Sequence, residues 1–227
     1  MSQPAAIRVF LNTTRPAPES MAPFADVPTG NICDAMDRFG ALDFNIQAIT
    51  PGLRVLGPAL TVRTRPGDNL VLFQALEVAQ PGDVLVVATY HYTTCSTVGD
   101  LMVNNAQRRG IAGIVTDGLV RDAAGIRALG LPVYARGITP SSAFKDGPGE
   151  INAPISCGGV VVMPGDLIVG DDDGVVVVPQ RDLAATTERL KAVIQKEEQS
   201  LSRLSAGNLA NEAMRKRLEE RGVEFIR

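Results

Sequence analysis

The stretch "GDLMVNNAQRRGIAGIVTDGLVRD", Gly99 to Asp122, holds one helix-like piece and one strand-like piece between two sets of charges. "DLMVNNAQR" carries apolar residues at helical spacing, and "IAGIVTDG" is a short apolar run that ends in the turn signal Asp117-Gly118. Asp100 opens the unit, and Arg121-Asp122 closes it after twenty intervening residues. One helix, one strand and one turn use up that length, so the chain returns to the edge it left. In an α/β sheet the ends of neighbouring strands face one crevice, where ligands bind. Asp100, Arg121 and Asp122 are therefore expected around a single small volume.

The same grammar extends outward. A helix over "NLVLFQALEVA", a strand "VLVVA", a helix 100–109, a strand 111–116, a helix 122–129 and a strand 132–136 alternate. Residues 150–178 instead read as strand after strand, with "LIVGDDDGVVVV" a strand, turn and strand. "GLRVLGPALTVRT" (52–64) is expected to be extended, with a break at Gly57-Pro58. "PGD" recurs at 66–68, 81–83 and 164–166 and marks turns, Pro fixing φ and Gly accepting φ > 0. Residues 1–28 read as an arm packed on the surface. "PTGNICDAMDRFG" predicts a short helix capped by Thr29 or Asn31, with Ile32, Ala35 and Met36 inward. From Arg181 two amphipathic helices follow, split at "SAG", as a helical extension over 181–227. The whole is an α/β chain with mixed sheets and C-terminal helices, read as one domain.

Composition narrows the function. At 227 residues, 45% hydrophobic and 21% charged, the chain supports a sizeable core, mostly aliphatic because there is no Trp and only seven Phe and three Tyr. A net charge of −3 offers no cationic field for phosphate backbones, which argues against nucleic acid as a partner. The N-terminus lacks the pattern of a secretory signal and no apolar run reaches membrane-spanning length, so a cytoplasmic location is expected. Cys33, Cys95 and Cys157 have no CxxC spacing and read as small buried hydrophobes. With His91 alone, a multi-histidine metal site within one subunit is excluded, and "TYHYTTC" holds no nucleophile elbow; His91 reads as structural or peripheral.

What remains is carboxylates, arginines and backbone amides. Gly99-Asp100 forms a tight entry to a helix whose first free amides, those of Leu101 and Met102, can bind a carboxylate. Asp100 alone reads equally as a helix cap, and Arg121-Asp122 alone as a surface pair. Together they suit a hard cation, Mg²⁺ or Mn²⁺, that a 2-oxo acid chelates while Arg121 stabilises charge on the keto oxygen.

The stretch 99–122, with its Asp, twenty residues, then Arg-Asp, resembles the motif of class II pyruvate aldolases of the 4-hydroxy-4-methyl-2-oxoglutarate aldolase type, within the RraA-like superfamily. "DAMDRFG", "GPALTV", "GDLIVGDDDGVVVVP" and "EEQSLSRLSAG" extend the resemblance over nearly the whole chain. It implies a β/β/α swivelling-type domain in homotrimers or homohexamers, with the active site at the subunit interface. It implies Asp122 as direct metal ligand, Asp100 as holder of the metal's waters, and Arg121 as stabiliser of the enolate. Gly99 and the Leu101 and Met102 amides would receive the substrate carboxylate. An acidic residue from a neighbour's C-terminal region, Glu197 with Glu198 as the competitor, would complete the site. The implied activity is metal-dependent retro-aldol cleavage of 4-hydroxy-2-oxo acids to pyruvate, with oxaloacetate decarboxylation alongside. The rival is an RraA-like regulator that binds a ribonuclease. Asn104, Asn105 and Gln107 are more amides than the family leads one to expect, and a reading of the substrate's distal end stands beside plain surface polarity. "DDDG" (171–174) is expected to be a hairpin turn, lacking the ligand pattern of a calcium loop.

Overall fold

A computed structural model describes residues 7–226. The strands are β1 (Ile7–Val9), β2 (Gln47–Ala48), β3 (Val55–Thr64), β4 (Val84–Ala88), β5 (Ser96–Val98), β6 (Gly113–Thr116) and β7 (Leu119–Val120), then β8 (Val133–Ala135), β9 (Gly137–Ile138), β10 (Gly149–Ile151), β11 (Ile155–Cys157), β12 (Val160–Val162), β13 (Leu167–Asp171) and β14 (Gly174–Val178). The helices are α1 (Pro18–Met21), α2 (Thr29–Ala35), α3 (Leu70–Val78), α4 (Asp100–Arg108), α5 (Ala123–Leu129), α6 (Leu183–Ser205) and α7 (Glu212–Arg221). The chain forms two compact units, residues 1–190 and 191–227.

The first unit is built on the parallel run β3-β4-β6-β8, extended by antiparallel β10 and then β1 beyond β3 and by antiparallel β2 beyond β8. Its central strands are buried on both faces, and the period of two sorts their side chains. In β4, Leu85 and Val87 join the cluster formed with Leu72 and Leu76 of α3, Val103 of α4 and Ile126 of α5. Val84, Val86 and Ala88 join the opposite cluster, with Ile155 of β11, Val162 of β12, Ile168 of β13 and Val177 of β14. Helices thus cover one face and short strands the other, the mixed α/β layering that the sequence predicts. The β13–β14 hairpin turns at Asp172-Asp173, as "DDDG" predicts.

Three local readings change. β3 runs unbroken through Gly57-Pro58, because the strand changes partners there: residues 55–58 pair with β13, and β4 takes over from Ala59. A proline, with no N–H to offer, is tolerated at such a changeover. α2 is capped by Pro28, not by Thr29 or Asn31; Thr29 instead gives its N–H and hydroxyl to Asp171, at 2.9 and 2.7 Å. The N-terminal arm is partly sheet, since β1 pairs with β10. The expectation that the arm includes the first six residues lies outside the described residues.

All three "PGD" turns end in a buried aspartate that ties down backbone amides. Gly67, Gly82 and Gly165 have φ of 77°, 89° and 85°, the positive values such turns require. Asp68 accepts from the amides of Leu70, Asp146 and Gly147 at 2.8–2.9 Å. Asp83 accepts from the Gln80 amide and, in a forked pair, from Arg15. Asp166 accepts from the amides of Met163 and Gln180.

The second unit holds the later turns of α6 and all of α7, which Asn211 caps by accepting from the Met214 amide at 3.1 Å. Among the described residues no helix is long and apolar enough to cross a membrane.

Burial pushes the Asp68 carboxyl up, but its three amide donors and Arg65 pull it further down, to a net value below the ordinary one. Asp68→Asn, which turns an NH₂ toward backbone donors, is expected to lower the unfolding free energy by about 2–3 kcal/mol at neutral pH. Because the folded carboxyl is the stronger acid, the advantage is complete above pH ~4 and fades as the pH falls below it. Urea titrations of both proteins across pH 3–7 measure this.

Candidate functional site at the ends of β5 and β7

β5, β7 and β9 form a small parallel sheet of their own. Val98 of β5 stands opposite Val120 of β7, and the Arg121 amide donates to Val98 O at 3.0 Å. This register places Gly99-Asp100 beside Arg121-Asp122, as the spacing in the sequence predicts. α4 then starts at Asp100 with Gly99 as its cap residue, and α5 starts after Asp122.

The approach is close at two glycines. A Cβ on Gly99 would stand 2.9 Å from Asp122 Oδ2 and 3.2 Å from Arg121 Nε. A Cβ on Gly125, in the first turn of α5, would stand 2.8 Å from Asp100 Oδ2 and 3.0 Å from Asp100 Cβ. Each carboxylate thus rests on a glycine belonging to the other's segment. Asp122 itself has φ 59° and ψ 40°, a left-handed conformation that Asp tolerates better than most residues.

Arg121 is held from two sides. Its Nε lies 3.1 Å from Asp122 Oδ2, and a terminal nitrogen donates to the Ser142 hydroxyl. Ser142 is aligned by a bridge to Ser96 of β5, whose amide and hydroxyl both donate to Ser141 O, at 2.9 and 2.7 Å. The Leu101 amide meets Asp100 Oδ1 at 2.7 Å, and the Met102 amide meets Gly99 O at 3.1 Å. Both predicted carboxylate-binding amides therefore have partners within the chain, and Asp100 acts on its own helix start.

Gly99, Asp100, Leu101, Met102 and Arg121 all line one cavity of about 390 Å³, within the range of roughly 300–1,000 Å³ typical of small-molecule pockets. Asp122 is not among the lining residues; its carboxylate is tied to the cavity through Arg121. The lining also includes Asn69, Phe73, Asn105, Ser142 and Lys145, with Lys145 Nζ 5.8 Å from the centre of the Phe73 ring. Of the three unexpected amides, Asn105 reaches the cavity wall. Asn104 accepts from Arg108, and Gln107 donates to Leu129 O. His91 lines a different cavity, where its Nδ1 lies 3.7 Å from buried Asp117 and 3.2 Å from Arg136. Glu197 and Glu198 are exposed on α6 in the second unit.

The donor set is all oxygen. Two carboxylates suit a hard dication, and among the described residues no group of three or more His, Cys, Asp or Glu is gathered around a metal position. The pair therefore fits an ion that keeps much of its water shell, as Mg²⁺ does, rather than a closed protein cage. Ser142, Asn69 and Lys145 escape sequence reasoning because they come from segments far from the 99–122 unit. Only the "PGDN" turn before α3 hinted that Asn69 opens a helix.

The chain belongs to the RraA-like family: the family's profile, described as Aldolase/RraA, matches residues 29–177. It is 45% identical, over 157 residues covering 69% of this chain and 75% of the relative, to a Halalkalibacterium halodurans protein named "Putative 4-hydroxy-4-methyl-2-oxoglutarate aldolase". Its fold matches that of Streptomyces coelicolor RraAS2, described as an unusual member of the RNase ES inhibitor RraA protein family. The TM-score is 0.76 at 36% identity, over 83% of this chain and 100% of that one. An uncharacterized Pseudomonas syringae pv. tomato protein gives the same TM-score at 30% identity, over 86% and 96%.

Gly125→Ala offers a direct check on the paired cradle. Alanine ordinarily favours a helix over glycine by about 1 kcal/mol, but here its methyl group must displace the Asp100 carboxylate. The expected result is a folded protein whose Leu101 amide resonance shifts as its contact to Asp100 Oδ1 is lost, read in a ¹⁵N–¹H spectrum. An unmoved resonance would contradict the cradle.

Proposed function

We propose that the protein is a divalent-metal-dependent carbon–carbon lyase that cleaves 4-hydroxy-2-oxo acids to pyruvate and a second carbonyl product, with oxaloacetate decarboxylation as a further activity. The observation that carries this reading is the grip on Arg121. Its guanidinium is fixed between Asp122 and Ser142 at the wall of a small cavity that Asp100 also lines. The name of the H. halodurans relative supports the same class of substrate.

The pyruvyl end of the substrate lies toward Gly99, Leu101 and Met102, where a helix start favours negative charge. Its carboxylate takes the Leu101 amide in place of Asp100 Oδ1, which frees that carboxyl to hold water. Asp122 would hold Mg²⁺ or Mn²⁺ and Asp100 would hold its waters, and the ion would supply Lewis acidity to the bound 2-oxo acid. A base takes the C4 hydroxyl proton, the C3–C4 bond breaks, and its electron pair passes into the enolate of pyruvate. Arg121 stabilises the negative oxygen as it forms, and charge that develops only in the transition state is where such a group contributes most. A water at Asp100 then returns a proton to C3. Lys145, which also lines the cavity, offers a cation to a second carboxylate. A neighbouring subunit in a homotrimer or homohexamer brings Glu197, or Glu198, to complete the site.

Arg121→Ala is expected to lower pyruvate release from 4-hydroxy-4-methyl-2-oxoglutarate and oxaloacetate by roughly 100-fold or more. Chelation should abolish the wild-type activity, and Mg²⁺ or Mn²⁺ should restore it, both followed by a coupled pyruvate assay. Metal-independent turnover would refute the mechanism. Capture of a ribonuclease by a protein without lyase activity would favour the regulator instead.

A further inference from the structure

Asn69 is the cap residue of α3, yet its side chain makes no capping bond. The Leu72 amide of that first turn donates to the backbone oxygen of Asn69 at 3.2 Å, and the Leu70 amide to Asp68 Oδ1 at 2.9 Å. Asn69 Nδ2 donates to Thr97 O at 2.9 Å, which fixes the orientation of the side-chain amide, since a carbonyl oxygen can only accept. Asn69 Oδ1 is left buried and without a hydrogen-bond partner, on a residue that lines the cavity holding Asp100 and Arg121. A buried carbonyl without a donor is costly, and it persists in folded proteins where something else supplies the donor.

We infer that Asn69 Oδ1 accepts a hydrogen bond from the C4 hydroxyl of the bound substrate and so selects 4-hydroxy-2-oxo acids over their deoxy counterparts. The assignment rests on the function proposed above and follows from an inventory of the substrate. At neutral pH its carboxylates and keto oxygen only accept, so the hydroxyl is the one group that can satisfy an orphan acceptor. Thr97 lies two residues before Gly99 on β5, so the tether of Asn69 to Thr97 ties the hydroxyl's acceptor to the strand that carries the pyruvyl end of the site. Asn69 acts on binding. An amide oxygen is too weak a base to keep the proton, which leaves to a stronger base as the O–H bond breaks and the C4 carbonyl forms.

The experiment compares KM for 4-hydroxy-2-oxoglutarate with the competitive Ki of 2-oxoglutarate, which lacks only the hydroxyl. Both are measured with Mg²⁺ in the wild type, in Asn69→Ala, and in Asn69→Ser, which keeps a hydroxyl for Thr97 O. Oxaloacetate decarboxylation is followed in parallel. In either variant KM is expected to rise about five- to tenfold, the worth of one hydrogen bond, while Ki moves by less than about twofold. KM and Ki rising together, or neither moving, would overturn the assignment and leave the lyase reading standing. A wild type that cleaves neither 4-hydroxy-2-oxoglutarate nor oxaloacetate would overturn both.

Discussion

The parallel pairing of β5 with β7 is the constraint on which the site depends. Opposing Val98 and Val120, with the Arg121 amide on Val98 O, sets two chain segments side by side at their exits. Once they are aligned, the Asp122 carboxylate lies against Gly99 and that of Asp100 against Gly125, and a methyl group at either glycine would push the carboxylate aside. The charges at the two ends of the 99–122 unit converge through backbone register first, and side-chain chemistry follows from that.

Beneath this small sheet the central strands carry apolar side chains on both faces. β4 contributes alternately to a helix-facing and a strand-facing cluster, so its position is fixed from above and below. The buried aspartates of the "PGD" turns act at the ends of the elements. Asp68 serves both the start of α3 and the loop at 146–147, while the neighbouring Asn69 side chain makes no bond to that helix start. A structural latch and a buried, unpartnered acceptor thus stand side by side in one dipeptide.

The resemblance of this chain to an aldolase and to RraA proteins leaves its activity to be argued from the cavity, because one fold hosts both catalysts and binding proteins. An arginine clamped by a carboxylate and a serine has a fixed orientation, which a freely moving surface charge lacks.

The sequence by itself determined the helices and the strands β4, β6 and β8 between 69 and 136, the 167–178 hairpin and the convergence of Asp100 with Arg121-Asp122, but not the short strands β5 and β7 that align them. Each follows from local spacing, since twenty residues fit one helix, strand and turn, and since apolar period marks the buried face. Tertiary structure alone decided that β3 passes through Gly57-Pro58 unbroken, because the change of partner from β13 to β4 depends on strands more than twenty residues away in the chain. It also decided that Ser142 clamps Arg121 and that Asn69 Oδ1 goes without a donor. A hydrogen bond, or the lack of one, depends on which remote atoms arrive within about 3 Å, and no periodicity in the sequence records that.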